Sequence, residues 1–194
     1  MSRHTRNKGI ALNLDWIDSV QMNRSAIEHR CSTMTKRRSI KKDWQAAWLL
    51  KSLSCIDLTT LSSDDTHERV MRLCAKARQP LRPELADFLG LKGIKTNVAA
   101  VCVYHSFVKT AVKALQNSAI PVAAVSTGFP HGLNSLPRRI EEIRDSIDDG
   151  AEEIDIVITR AHVFSKNWQA LYDEISAFPG SFRKSSPEDN FGYR

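Results

Sequence analysis

The sequence contains no apolar run long enough to cross a membrane and no cysteine spacing typical of zinc. No stretch approaches the roughly 20 apolar residues of a membrane helix, and the first residues, MSRHTR, lack the apolar centre of a secretory signal. The four cysteines, Cys31, Cys55, Cys74 and Cys102, form no C-x-x-C pair and lie in otherwise apolar segments. We therefore expect a reduced, cytoplasmic protein with no structural metal, no disulfide framework and no membrane partner.

Nucleotide-binding fingerprints are also absent. Neither G-x-G-x-x-G nor G-x-x-x-x-G-K-[ST] follows any strand-like segment, so no cofactor is indicated. The net charge of +6 belongs to the N-terminal segment. Residues 1–51 contain 11 Lys or Arg and 4 Asp or Glu, whereas residues 52–194 contain 17 and 18. The dense run Lys36-Arg37-Arg38 could contact phosphate, but a solvated helix end is its commoner role, so nucleic-acid binding is the less favoured alternative.

Residues 1–50 are predicted to form a helical extension. Within residues 41–53, Trp44, Ala47, Trp48 and Lys51 recur at spacings of three and four, which predicts a helix with one apolar side. Tryptophans at helical spacing are core residues more often than ligand contacts. We therefore expect this helix to pack its tryptophans against the rest of the chain.

Four strand-like segments alternate with helical periodicities from residue 54 onward. The predicted strands are residues 54–61, 97–104, 121–126 and 153–159, and apolar stripes at helical spacing follow each of them. Asp65 and Glu68 have the spacing of a capping box before the first of these helices, and Gly150 is placed to end the third. Such an alternation predicts an α/β protein with a parallel sheet and right-handed crossovers, either a barrel or an open doubly wound sheet.

Polar residues interrupt the carboxyl-terminal halves of these strands. Asp155 lies in the run EIDIVIT, whose β-branched density predicts a strand covered on both faces. A carboxylate there needs a partner or a raised pKa, as catalytic acids and bases do, although a structural Asp that ties down a loop is the alternative. In a (β/α) barrel Asp57, Thr59, Cys102 and Asp155 would converge on one site. After the third strand the loop TGFPHG has glycines that allow backbone to approach a ligand.

These segments together resemble a known family. The motifs are IDLTTL at 56–61 followed by DDT at 64–66, AAVCVY at 99–104, GFPHG at 128–132 and EIDIVI at 153–158. In this order they resemble deoxyribose-phosphate aldolase, and KDWQAAWLLK at 42–51 is similar to the longer animal forms. The resemblance runs from residue 10 to residue 178.

The resemblance implies a class I aldolase on a (β/α)8 TIM barrel, working in deoxyribonucleotide catabolism without a metal. Such a lyase cleaves the sugar phosphate 2-deoxyribose 5-phosphate to glyceraldehyde 3-phosphate and acetaldehyde. One strand lysine forms a Schiff base, and a second lysine lowers the pKa of the first. The position of Asp155 implies proton transfer through water, and those of Asp57, Thr59 and Cys102 imply the substrate side of the pocket.

The sequence departs from the family after residue 178. Members continue through four more strands that carry both lysines in motifs of the form FIKTSTG and GFKPAGG, whereas residues 179–194 are polar, rich in Pro, Gly and Ser, and predicted to be disordered. We therefore expect residues 51–178 to form a half-barrel of four βα units, from a splice product or a mispredicted gene. Lys95, Lys109, Lys113 and Lys166 are not flanked by strand residues, so we expect no Schiff base and no activity.

Two other functions stay open, and both would use the same half-barrel. A non-catalytic interaction protein could bind a partner through the exposed half-barrel surface. A metal-dependent barrel enzyme could use His105, His131 and Asp155, although no H-x-H or H-x-x-x-H pair supports it. Open strand edges and an uncovered apolar face predict a marginal monomer that self-associates or aggregates.

Overall fold

The computed structural model describes residues 10–37, 39–91, 93–94 and 96–178 of the chain. The predicted disordered tail at 179–194 lies outside these ranges, as do Arg38 and Lys95. Within these ranges, no helix combines the length and the hydropathy needed to cross a membrane.

The strands of the described residues form one parallel sheet in the order of the chain. They are β1 (Asp57–Thr59), β2 (Ala100–Tyr104), β3 (Val122–Ser126) and β4 (Glu153–Ile156), with β1 beside β2, β2 beside β3 and β3 beside β4. A doubly wound sheet reverses its strand order at a switch point, whereas barrel strands follow one another. The predicted α/β class with a parallel sheet is confirmed, and the strand order is the one found in barrels.

The strands are shorter than the apolar runs that predicted them. Residues 54–56 still belong to the turn that leaves the preceding helix, since Cys55 N donates to Ser52 O and Ile56 N donates to Leu53 O. At the other end of the sheet β4 stops at Ile156, because the backbone of Val157 bonds to the side chain of Thr127 instead of a neighbouring strand.

Helices precede the sheet and follow each strand. Before β1 lie α1 (Leu14–Ser19), α2 (Arg24–Arg37) and α3 (Lys42–Leu53); after it come α4 (His67–Arg78), α5 (Pro83–Phe88), a short 3-10 turn (His105–Phe107), α6 (Val108–Ala114), α7 (Leu136–Asp148), α8 (Arg160–Phe164) and α9 (Trp168–Ala177). The helix expected after the fourth strand, from about residue 165, is α9, and the short helix α8 before it was not predicted; Lys166, with a positive φ of 56°, separates the two and Asn167 caps α9. Gly150, with φ of 101°, follows the end of α7 as predicted.

The predicted capping box of α4 is wrong. The capping side chain is that of Thr66, which accepts a hydrogen bond from Arg69 N at 3.3 Å. The carboxylate of Asp65 is turned toward the loop, where it accepts from Thr60 Oγ1 at 2.9 Å and from Ser62 N at 3.0 Å. Asp65 therefore fixes the chain that leaves β1 and cannot also cap the helix.

The expected packing of the α3 tryptophans is also wrong. Trp44 is 75% exposed and Trp48 is 57% exposed. The half-buried residues of α3 are Ala46, Leu50 and Leu53 on the opposite side, and Leu53 packs against the core. Both sides of this helix are apolar, so periodicity could not tell which of them faces the protein.

The two faces of the sheet have different surroundings. Helices α4 and α6 cover one face, where the core gathers Val70, Cys74, Val98, Val101, Val103, Val108, Ala111, Leu115, Ile120, Val122, Ala124 and Ala151. The other side, called here the inner face, holds only the small buried group Cys102, Ala123 and Val125 with three half-buried neighbours. Among the described residues, the sheet is therefore covered mainly from one side.

A buried ion pair joins three elements beside the end of β4. Arg139 of α7 is 4% exposed and Glu174 of α9 is 6% exposed. The guanidinium donates two hydrogen bonds to the carboxylate, at 3.2 and 2.8 Å. It also donates to Val157 O at 3.3 Å and Thr159 Oγ1 at 3.1 Å, while Thr159 N donates to Glu174 Oε1 at 2.8 Å. We call Arg139, Val157, Thr159 and Glu174 the clasp.

We expect Arg139→Met to lower the free energy of unfolding by about 3–5 kcal/mol, because it leaves the buried carboxylate of Glu174 without the guanidinium, and only His162 Nε2, at 3.7 Å, remains nearby. Urea denaturation followed by circular dichroism measures the change. The matched control is Arg138→Met, whose exposed pair with Glu141 is of the kind that contributes about 0–1 kcal/mol. Equal losses for the two variants would contradict a stabilising clasp.

The clasp should also make stability depend on pH. Burial alone would raise the pKa of Glu174, but hydrogen bonds from Arg139 and Thr159 outweigh burial and lower the pKa below the ordinary value of 4.5. The pair therefore stabilises the fold above that value, and the stabilisation is lost as the pH falls through the lower pKa of the folded state. Urea titrations from pH 6 to pH 3 should show a shallower loss for Glu174→Gln than for the parent chain.

Candidate active site

The four predicted site residues meet on the inner face. Thr59 is paired with Cys102 in the β1–β2 ladder, and Asp57 lies two residues before Thr59 on the same side of its strand. On β4, Asp155 is separated from Cys102 by the whole of β3. Asp155 is paired with Val125 of β3, which lies two residues beyond the β3 partner of Cys102. The two side chains meet across β3, where Cys102 Sγ donates to Asp155 Oδ2 at 3.4 Å.

The surroundings of Asp155 differ from the prediction. Its strand was expected to be covered on both faces, whereas Asp155 is exposed and Ile154 and Ile156 are half-buried. Asp57 and Thr59 are exposed as well. The reason is the one-sided covering of the sheet, because helices α4 and α6 pack on the opposite face. Cys102 is buried, at 3% exposure.

Cys102 is a hydrogen-bond donor rather than a nucleophile in this arrangement. Burial raises the pKa of its thiol, the nearby carboxylate of Asp155 raises it further, and Thr59 offsets only part of this, so that the pKa lies at about 12. The thiol therefore stays protonated at neutral pH. A neutral S–H beside a carboxylate can orient that carboxylate or contact a bound molecule.

The loop after β3 is fixed against the chain that follows Asp155. Thr127, with φ of 63°, donates through Oγ1 to Val157 O at 2.9 Å. Gly128 N donates to Glu142 Oε2 at 2.9 Å, and a Cβ added to Gly132 would lie 2.9 Å from Val157 Cγ1. At Gly132 the space that was expected to admit a ligand is therefore used for packing against Val157.

Sequence reasoning missed both charged members of the clasp. Arg139 lies among Leu136, Ile140 and Ile143 on α7, and Glu174 lies between Leu171 and Ile175 on α9. A charge on the apolar side of a helix was the available signal, because such a charge must find a partner when the helix packs. The clasp holds the chain within four residues of Asp155.

Neither histidine considered as a metal ligand belongs to a metal-binding group of described residues. His105 Nδ1 is 3.6 Å from Glu142 Oε1, and His131 is exposed in the loop after β3. Among the residues that the structure describes, no group of three His, Cys, Asp or Glu side chains could hold a metal ion.

The strands β1–β4 contain no lysine. Lys109 on α6 forms an ion pair with Asp149 at 2.8 Å, and the hydrogen bond to that carboxylate raises the lysine pKa. Lys113 is exposed on the same helix, and Lys166 is exposed between α8 and α9. These three lysines therefore lie outside the strands that form the inner face.

No family model matches the chain, but individual relatives do. It is 52% identical over 182 residues to the mouse protein named deoxyribose-phosphate aldolase and 51% identical over 182 residues to the human one. Each match includes 92% of this chain and 56% of the relative. The chain is homologous to the deoxyribose-phosphate aldolases. It spans about half the length of the curated relatives that it matches.

Solved structures agree with this result at the level of the fold. A Coccidioides immitis structure with the provisional name deoxyribose-phosphate aldolase matches with a TM-score of 0.57 at 23% identity, over 86% of this chain and 56% of that chain. The aldolase QR15 matches with a TM-score of 0.51 at 24% identity, over 64% of this chain and 48% of that chain.

The contact between Cys102 and Asp155 can be tested by alkylation. In a background with the exposed Cys31 and Cys55 changed to Ser, Asp155→Asn should lower the Cys102 pKa and increase its iodoacetamide reaction rate several-fold at pH 9. Peptide mass spectrometry over pH 7–10 measures the rate, with Cys74 as the internal reference.

The matched control for this experiment is Asp149→Asn, which removes a carboxylate from the helix-covered side. It should leave the Cys102 rate unchanged, because Asp149 pairs with Lys109. Equal effects of the two variants would contradict a specific influence of Asp155 on the thiol.

Proposed function

We propose that this chain supplies the first half of a class I aldolase barrel that acts on 2-deoxyribose 5-phosphate. The observation that carries the proposal is the contact between Cys102 and Asp155 across β3, with Asp57 and Thr59 on the same face. The four residues occupy the positions to which the family resemblance assigns substrate binding and proton transfer.

Each residue has a role that its surroundings allow. Asp155 is exposed and can exchange protons with water, as a general acid or base must. Asp57 and Thr59 offer carboxylate and hydroxyl oxygens for hydrogen bonds to the sugar. Cys102, protonated at neutral pH, orients the carboxylate of Asp155.

The edges of the sheet support a half-barrel. In a closed eight-stranded barrel the first strand pairs with the eighth and the fourth with the fifth. In the described residues β1 pairs only with β2, and β4 only with β3. An apolar recess of about 370 Å³ beside β1 is lined by Leu53, Ile56, Leu58, Pro80 and Val98 among others. We infer that a further helix of the barrel would pack into it.

The 194-residue chain alone is inactive in this proposal. Schiff-base formation needs a neutral amine, and a solvated lysine with a pKa of ~10.4 is neutral in only about one molecule in a thousand at pH 7. The strands that carry Asp57, Cys102 and Asp155 contain no lysine. The nucleophile must therefore come from the second half of a barrel.

The absence of a Schiff base is directly testable. Incubation of the chain with deoxyribose 5-phosphate and borohydride should give no mass increase on any lysine, because every lysine that the structure describes is exposed and therefore solvated. Intact-protein and peptide mass spectrometry provide the measurement. An adduct on Lys109, Lys113 or Lys166 would overturn the proposed inactivity.

The barrel proposal predicts activity in a fusion. Replacing the segment after residue 178 with the second half of the mouse relative should give aldolase turnover. Asp155→Asn in that fusion should reduce kcat on the order of 10²- to 10⁴-fold, the usual contribution of a general acid or base. Asp149→Asn is the control, and folding of each variant is checked by circular dichroism. A folded Asp155→Asn fusion with full turnover would refute the catalytic role.

A further inference from the structure

The position of Asp155 depends on a strand that ends directly after it. The β3–β4 ladder pairs Val125 with Asp155 and Ser126 with Ile156, and β4 ends at Ile156. Because a strand advances by only about 3.3 Å per residue, a shift of the backbone at Val157 also moves the carboxylate of Asp155. The contacts that hold residues 157–159 therefore also set where that carboxylate lies.

Side chains from two different elements hold Val157. Thr127, just beyond β3, donates through Oγ1 to Val157 O at 2.9 Å and accepts from Val157 N. From α7, Arg139 Nη1 donates to the same carbonyl at 3.3 Å. A carbonyl oxygen has two lone pairs, and both are used here. The peptide that follows β4 is thus fixed by side chains instead of a strand ladder.

The clasp adds a second fixed point two residues later. Arg139 Nη2 donates to Thr159 Oγ1 at 3.1 Å, and Thr159 N donates to Glu174 Oε1 at 2.8 Å. The same two guanidinium nitrogens also bind the carboxylate of Glu174. A planar guanidinium presents its N–H donors in fixed directions, whereas an ammonium is a point charge on a flexible stem. The clasp therefore needs the shape of arginine as well as its charge.

The contact on the inner face is weaker than these bonds. Asp155 is exposed, and its Oδ2 accepts from Cys102 Sγ at 3.4 Å. A thiol is a weak hydrogen-bond donor, so this contact follows the position of the backbone and does not fix it. The state of the Cys102 thiol therefore reports where the Asp155 carboxylate lies.

We propose that Arg139 and Glu174 are positioning residues for Asp155. By fixing residues 157–159 they keep the Asp155 carboxylate beside Cys102, where it can exchange protons with a bound substrate. Arg139 lies on α7 and Glu174 on α9, so they act on the carboxylate through the backbone. The consequence for turnover rests on the function proposed above, whereas the effect on the contact between Asp155 and Cys102 does not.

In the fusion with the second half of the mouse relative, Arg139→Lys should lower kcat on the order of 10- to 10²-fold, because a misplacement of about 1 Å is costly at the reacting atoms. KM should change less than about twofold, since the sugar contacts of Asp57 and Thr59 lie on β1. A loss of turnover with Asp155→Asn but none with Arg139→Lys would refute the positioning role alone. An inactive fusion would count against the proposed function, and the Cys102 thiol would still decide the positioning.

Arg139→Lys tests the positioning on the full chain, because it keeps a cation beside Glu174 and removes the planar donor set. The variant is made in the same cysteine background as for the alkylation of Cys102. Displacement of the Asp155 carboxylate should lower the pKa of the thiol and make its reaction with iodoacetamide at pH 9 roughly two- to fivefold faster. Peptide mass spectrometry measures the rate, with the buried Cys74 as reference.

A double mutant separates positioning from a general loosening of the fold. If Arg139 acts through Asp155, Arg139→Lys should change the Cys102 rate no further in an Asp155→Asn chain. Loosening would instead accelerate Cys102 and Cys74 together and would add to the effect of Asp155→Asn. Equal acceleration of the two thiols, or a fully additive double mutant, would overturn the proposal.

Thr159→Val is a second variant that leaves the ion pair in place. It removes the acceptor for Arg139 Nη2 but keeps the backbone bond to Glu174, and the Thr159 side chain makes no capping hydrogen bond in α8. Cys102 should again react faster while Cys74 does not. The control Arg138→Lys alters an exposed pair and should leave both rates unchanged. If Arg139→Lys does not fold, Thr159→Val decides, and a Cys102 rate equal to that of the parent would refute the proposal.

Discussion

The bidentate ion pair between Arg139 and Glu174 holds together the end of the sheet. Both side chains are almost fully buried, so each would destabilise the fold without the other. Their remaining hydrogen bonds go to Val157 and Thr159, where β4 has ended and no neighbouring strand is available. Helices α7 and α9 are thereby joined to the chain that follows Asp155.

The candidate site depends on a different constraint, which is that its residues share one face of the parallel sheet. β2 and β4 are two strand spacings apart, about 9–10 Å in a flat sheet. Cys102 Sγ nevertheless lies 3.4 Å from Asp155 Oδ2 across β3. The contact raises the pKa of the thiol and leaves the carboxylate exposed, so one pair provides a neutral donor and an accessible base.

Sequence reasoning succeeded where the pattern was local and repeated. β-branched runs followed by helical periodicities predicted the parallel sheet, and the placement of Asp57, Thr59, Cys102 and Asp155 on their strands predicted that they would meet. Sequence reasoning failed where a side chain had more than one possible hydrogen-bond partner nearby. Asp65 had helix-capping spacing but binds the loop before the helix, where Thr60 and Ser62 offer nearer donors.

The sequence by itself determined the order and the period of the elements, because strand and helix patterns depend on neighbouring residues. It also determined which side chains share one face of a strand. Tertiary structure alone decided the rest: that the tryptophans of α3 face outward, that Asp155 is exposed, and that Arg139 finds Glu174. Burial and ion pairing depend on which distant elements pack together, and no local period encodes that choice.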